Sequence, residues 1–92
     1  YDIALLKLRR PVSTSNEIQP VCLPAYSQTF APGTSCWTTG FGTTVQGAES
    51  GSSSLMEVSV DIISFSDCNR LQVYGGHISK NMLCAGDLRN RG

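Results

Sequence analysis

The sequence predicts an all-β fold, an antiparallel barrel or sandwich, from three observations. Its apolar segments are short or strictly alternating, turn residues separate them at regular intervals, and helix-compatible patterning is confined to one brief stretch. Ile3-Ala4-Leu5-Leu6-Lys7-Leu8 is a compact apolar run closed by Arg9-Arg10-Pro11. A run that short ended by proline predicts a buried strand rather than a helix. Ser13 to Glu17 is a polar turn, and Pro20 and Pro24 then leave only an extended connector between them. Ser35 to Gly42 is rich in β-branched and aromatic residues and predicts a second strand, with glycines where the backbone must bend. Gln46 to Ser54 is too polar and glycine-rich to bury, and predicts an exposed loop. Leu55 to Ile63 places Met56, Val58, Val60 and Ile62 on one side and Glu57, Ser59 and Asp61 on the other, the alternation of a half-buried strand. Ser66-Asp67 can cap one or two helical turns through Leu71. Tyr74-Gly75-Gly76-His77 turns the chain, and Met82 to Gly86 is a last brief strand. No internal repeat is present.

Composition excludes several classes of function. Seven Lys and Arg balance seven Asp and Glu. A neutral chain without a basic cluster offers no counterion-release term for nucleic acid and no polybasic patch for anionic lipid. The apolar runs fall far short of the roughly 20 residues of a membrane helix. Ninety-two residues bury only about 60–65% of their unfolded surface, so the core is marginal without a further restraint. Four cysteines, Cys22, Cys36, Cys68 and Cys84, are candidates for that restraint. Their wide spacings are not those of a tetrahedral zinc site, and no metal or other cofactor is predicted. Four cysteines allow three pairings, and so many in so short a chain point to an oxidising compartment. The sequence opens on Tyr1-Asp2 without an initiator Met or a signal peptide, and Arg89-Asn90-Arg91-Gly92 resembles a loop stopped midway. It therefore reads as the interior of a longer protein.

Catalytic candidates are sparse. None of the twelve serines sits in a Gly-x-Ser-x-Gly or Gly-Asp-Ser-Gly context. His77, the single histidine, falls in a Gly-Gly turn and reads as a surface residue. Arg9-Arg10 beside Pro11 reads as a solvated strand end rather than a dibasic processing site, and Arg89 and Arg91 as members of an exposed loop. Asp2, taken by itself, is an acidic residue ahead of a strand.

Four collinear segments, Asp2-Ile3-Ala4-Leu5-Leu6-Lys7-Leu8, Val21-Cys22-Leu23-Pro24, Cys36-Trp37-Thr38-Thr39-Gly40-Phe41-Gly42 and Asn81-Met82-Leu83-Cys84-Ala85-Gly86, include all four cysteines and span essentially the whole chain. Together they resemble the chymotrypsin/trypsin-like serine proteases. Gly40-Phe41-Gly42 and Ala85-Gly86-Asp87-Leu88-Arg89 make the chain most similar to the transmembrane mosaic members of that family. The resemblance implies two antiparallel barrels flanking a catalytic cleft. Residues 1–92 would be a partial peptidase domain truncated at both ends, holding the end of the first barrel, the linker and most of the second.

By the same resemblance, Asp2 matches the aspartate that orients the catalytic histidine, a role that needs a carboxylate to accept the imidazole Nδ1–H. The histidine and the nucleophilic serine of the family lie outside these residues. Cys68 and Cys84 resemble a pair closing a loop beside the specificity pocket. Cys36 resembles a half-cystine with a downstream partner, and Cys22 one that tethers the domain to an upstream pro-segment or stem. Tyr74 resembles an aromatic that supports the specificity pocket. Trp37 and Phe41 read as core aromatics, Phe41 standing where the family usually has Trp. The implied activity is hydrolysis of protein or peptide substrates, after Lys or Arg, at the cell surface or outside the cell. The alternatives are a catalytically inactive homologue that binds proteins through the same surface, and a self-contained module with two disulfides and no free thiol.

Overall fold

The computed structural model describes residues 1–70 and 75–86. Among them the regular elements are three strands and one helical turn: β1 (Ser35–Gly40), β2 (Met56–Ile63), α1 (Phe65–Cys68) and β3 (Cys84–Gly86). The strands form one antiparallel sheet in the order β1-β2-β3. Cys36 lies opposite Val60, Trp37 opposite Ser59 and Thr38 opposite Val58, while Ile63 faces Cys84. Opposed residues share a face of a sheet. One face therefore carries Cys36, Thr38, Met56, Val58, Val60, Ile62 and Ala85. The other carries Trp37, Thr39, Glu57, Ser59 and Asp61.

A turn of known chemistry launches β1. In Ala31-Pro32-Gly33-Thr34 the proline presets φ at the second position, and Gly33 at the third takes φ +86°, which an L side chain rarely adopts. Thr34 N–H donates to Ala31 O at 3.1 Å, closing the turn. Gly33 N–H then reaches Ile62 O at 2.8 Å and Ile62 N–H reaches Thr34 O at 2.9 Å, so strand pairing begins as the turn ends.

The long apolar segment expected to be the first strand takes another course. Ile3 to Leu8 has no strand geometry and every side chain in it is exposed, Leu5 by 97%. A strand must place its N–H and C=O groups on a neighbour, and this segment makes no backbone hydrogen bond among the described residues. The other strands form where alternation or β-branched content predicted them, with β1 ending at Gly40 rather than Gly42 and β3 beginning at Cys84 rather than Met82. The helical turn starts two residues earlier than expected, at Phe65, and its cap is Ser64 instead of Ser66-Asp67. Ser64 Oγ accepts the Asp67 N–H at 3.1 Å, and Cys68 N–H donates to Ser64 O at 2.9 Å. Trp37 and Phe41, expected in a core, are 67% and 60% exposed. A single sheet layer has no second layer to cover them. The only fully buried apolar side chain among the described residues is Cys68.

Candidate functional site

Among the described residues, a disulfide and a helix cap come together at the corner where β2, α1 and β3 meet. Ile63 ends β2, Ser64 caps α1, and Cys68 closes that turn with its side chain 2% exposed. A disulfide joins Cys68 to Cys84, the first residue of β3, with the Cα atoms 6.3 Å apart. That separation lies within the ordinary disulfide range. The bond pins the end of the helical turn to the sheet and closes a loop across a sequence separation of 16.

Asn69 organises the same loop, and it carried no role in the sequence reading. Its N–H donates to Phe65 O at 2.9 Å, its carbonyl accepts Gly76 N–H at 3.2 Å, and its Oδ1 accepts Ile78 N–H at 3.1 Å. Arg70 O accepts Gly75 N–H at 2.8 Å beside it. One side chain thus ties the end of α1 to the stretch leading into β3. The available signal was an Asn at a helix end followed by Gly75-Gly76, since Asn readily bonds backbone groups and glycine reaches positive φ, here +57° and +87°.

The other predicted site residues lie apart from this corner. Asp2 is exposed near the start of the chain, and no hydrogen bond among the described residues engages its carboxylate. His77 is exposed just after the Gly75-Gly76 turn. Cys22 is an exposed free thiol, and Cys36 is a half-buried one on β1 whose Sγ lies 3.7 Å from Thr34 O. Tyr74 lies outside the described residues. No group of three or more His, Cys, Asp or Glu residues with metal-binding geometry occurs among the described residues. No helix among them is long and apolar enough to cross a membrane.

The segment before β1 folds back over the corner. Pro24 and Phe30 line an apolar hollow with Ile62, Phe65 and Leu83. A local bond pair holds this segment in shape: Gln28 N–H donates to Ala25 O at 3.0 Å, and Gln28 Oε1 accepts Ala25 N–H at 3.0 Å.

The trypsin family profile matches residues 1–92. Transmembrane protease serine 11E of Mus musculus is 42% identical over 89 residues, covering 97% of this chain and 21% of that protein. Transmembrane protease serine 5 of Homo sapiens is 40% identical over 91 residues, covering 99% of this chain and 20% of that protein. The chain spans about one fifth of the length of these curated relatives.

Proposed function

Since this chain belongs to the trypsin family of serine proteases, we propose that residues 1–92 are a partial peptidase domain of an active serine endopeptidase. The enzyme cleaves protein or peptide substrates after Lys or Arg, at the cell surface or outside the cell. The observation that carries this reading is the family match over residues 1–92.

Asp2 accepts the Nδ1–H of a histidine supplied by another part of the protein. It thereby fixes the tautomer that leaves Nε2 free to take the proton of the attacking serine. The serine oxygen adds to the scissile carbonyl, the imidazolium returns its proton to the departing amine, and water later releases the acyl group by the same route. Asp2 stays ionised throughout and stabilises the imidazolium. The Cys68–Cys84 loop flanks the specificity pocket, with Tyr74 supporting the pocket wall. Cys36 pairs with a downstream cysteine, and Cys22 tethers the domain to an upstream pro-segment or stem.

The test uses the full-length protein. A fluorophosphonate probe labels its nucleophilic serine, and a peptide ester with Lys or Arg at the cleavage position is turned over. Absence of both labelling and turnover in the folded, processed protein would establish an inactive homologue instead.

A further inference from the structure

A disulfide fixes a loop only at its ends. Cys68 and Cys84 are joined across a sequence separation of 16, and between them the course of the chain has to be set by hydrogen bonds of its own. The part nearer Cys84 does this locally, with Met82 N–H donating to Ser79 O at 3.1 Å and Asn81 N–H to Ser79 Oγ at 3.3 Å. The part nearer Cys68 depends on Asn69.

Two kinds of bond converge on that residue. Its main-chain carbonyl accepts Gly76 N–H, beside the bond from Gly75 N–H to Arg70 O, and any residue at position 69 could make the first. The 3.1 Å bond from Ile78 N–H is different, because it ends on the side chain. A backbone amide can only donate, so the atom it meets is the carbonyl oxygen Oδ1, and only Asn or Asp carries an sp² oxygen at that reach. Every other side-chain hydrogen bond among the described residues joins positions two to four apart, whereas this one spans nine. Gly75 and Gly76, at φ +57° and +87°, supply the bend that returns the chain to Asn69. A Cβ on Gly76 meets nothing within 4 Å, so what that position requires is the dihedral and not the space.

We infer that Asn69 is a positioning residue for the specificity pocket: its Oδ1 holds the return of the loop, Gly75 to Ile78, against the end of α1 and thereby sets the wall the loop gives to the pocket. This rests on the reading above that the Cys68–Cys84 loop flanks that pocket. Asn69 acts through the loop and leaves the reacting atoms alone. A contact made equally in ground and transition state changes KM and not kcat, so that split is its signature.

The experiment uses the full-length, processed protein and its Asn69→Ala, Asn69→Asp and Gly76→Ala variants. Turnover of a peptide ester with Lys or Arg at the cleavage position separates KM from kcat, a small alkyl fluorophosphonate reports the serine without filling the pocket, and thermal unfolding reports the fold. Asn69→Ala raises KM by about 3- to 10-fold, the size one lost hydrogen bond transmits, with kcat and labelling rate near wild type. Asn69→Asp keeps the acceptor and returns KM to near the wild-type value. Gly76→Ala strains the same return from its other end and raises KM in the same way. An unchanged KM in Asn69→Ala, with the wild type labelled and active, overturns the inference and leaves the proposed activity standing. It is overturned as well if Asn69→Asp is as impaired as Asn69→Ala, or if kcat and labelling fall in step with the unfolding temperature. Wild type that is neither labelled nor active removes the proposed activity and this inference together.

Discussion

Residues 1–32 and residues 33–86 differ in how far their hydrogen bonds reach. In the first stretch the bonds among described residues join positions two to four apart, as in Ser15 N–H to Ile18 O at 2.9 Å and Gln19 Nε2 to Ser15 O at 2.6 Å. In the second, β1 pairs with β2 and β2 with β3, and a disulfide locks the corner. Yet the first stretch contains the most apolar run in the chain, Ile3 to Leu6. Apolar content selects a segment for burial, but only a partner edge turns it into a strand. Among the described residues, those from 33 to 86 pair with one another and those from 1 to 32 do not, so the second stretch holds the structure, and the role proposed for the first is the chemistry of Asp2.

The largest expected effect tests that division directly. Asp2→Asn in the full-length enzyme lowers kcat by about 10⁴, the loss already established for this change in triads of this family and equal to about 5 kcal/mol of transition-state stabilisation. KM and unfolding temperature stay close to wild type, because the carboxylate orients a histidine and is not part of a packed core. A variant that loses stability in proportion to its activity would make Asp2 structural and erase the contrast. The isolated 92-residue chain, in which no serine stands in a Gly-Asp-Ser-Gly context, is expected to show no serine-dependent hydrolysis of a Lys or Arg ester.

Next in size is the disulfide. Replacing Cys68 and Cys84 together by Ala releases a loop whose closure contributes about 3 kcal/mol in the chain-entropy account. Urea unfolding of the full-length protein under oxidising conditions reads the change as a lowered midpoint. The same double change at Cys22 and Cys36, free thiols in this chain, separates the corner from the other two cysteines: it leaves the Cys68–Cys84 loop closed, as peptide mapping would show.

How much of this was visible beforehand follows from where each signal resides. The alternation from Met56 to Ile62 is a local property, and β2 forms over Met56–Ile63 accordingly. The β-branched and aromatic content around Cys36 likewise marks β1. The spacing of short strands and turns already pointed to an all-β class, and the resemblance supplied the family. Hidden from the sequence were quantities that depend on two segments at once: the lack of a strand partner for Ile3–Leu8 among the described residues, the exposure of Trp37, and the tie from Asn69 Oδ1 to Ile78 nine residues away. Ser64 was passed over for a related reason. Ser66 followed by Asp67 looks like a stronger cap, and only the end of β2 at Ile63 decides which serine is in position.

The base of the β1–β2 connection supplies a smaller effect. A Cβ on Gly51 would collide with the carbonyl oxygen of Phe41, which belongs to the backbone and cannot move aside as a side chain would. Gly51→Ala in the full-length protein is expected to cost about 1–3 kcal/mol, the range for overpacking a fixed site. Gly42→Ala meets nothing within 4 Å and serves as the control. Equal effects of the two in thermal unfolding would mean that the close approach of Gly51 to Phe41 is not what shapes the connection.

The smallest effect discriminates between neighbouring serines at the corner. Ser64 Oγ satisfies the Asp67 N–H, an amide that the single turn of α1 cannot pair internally. Removing it by Ser64→Ala costs about 1 kcal/mol, the usual value for a lost N-cap. Ser66 Oγ bonds no backbone group among the described residues and lies 3.4 Å from Ser64 Oγ, so Ser66→Ala changes stability by no more than about 0.5 kcal/mol. The two variants differ by one hydroxyl each, at exposed or half-buried positions, and neither opens a cavity. A larger loss from Ser66→Ala than from Ser64→Ala would place the cap two residues later, where the sequence pattern alone had put it, and would shift the start of α1 away from the end of β2.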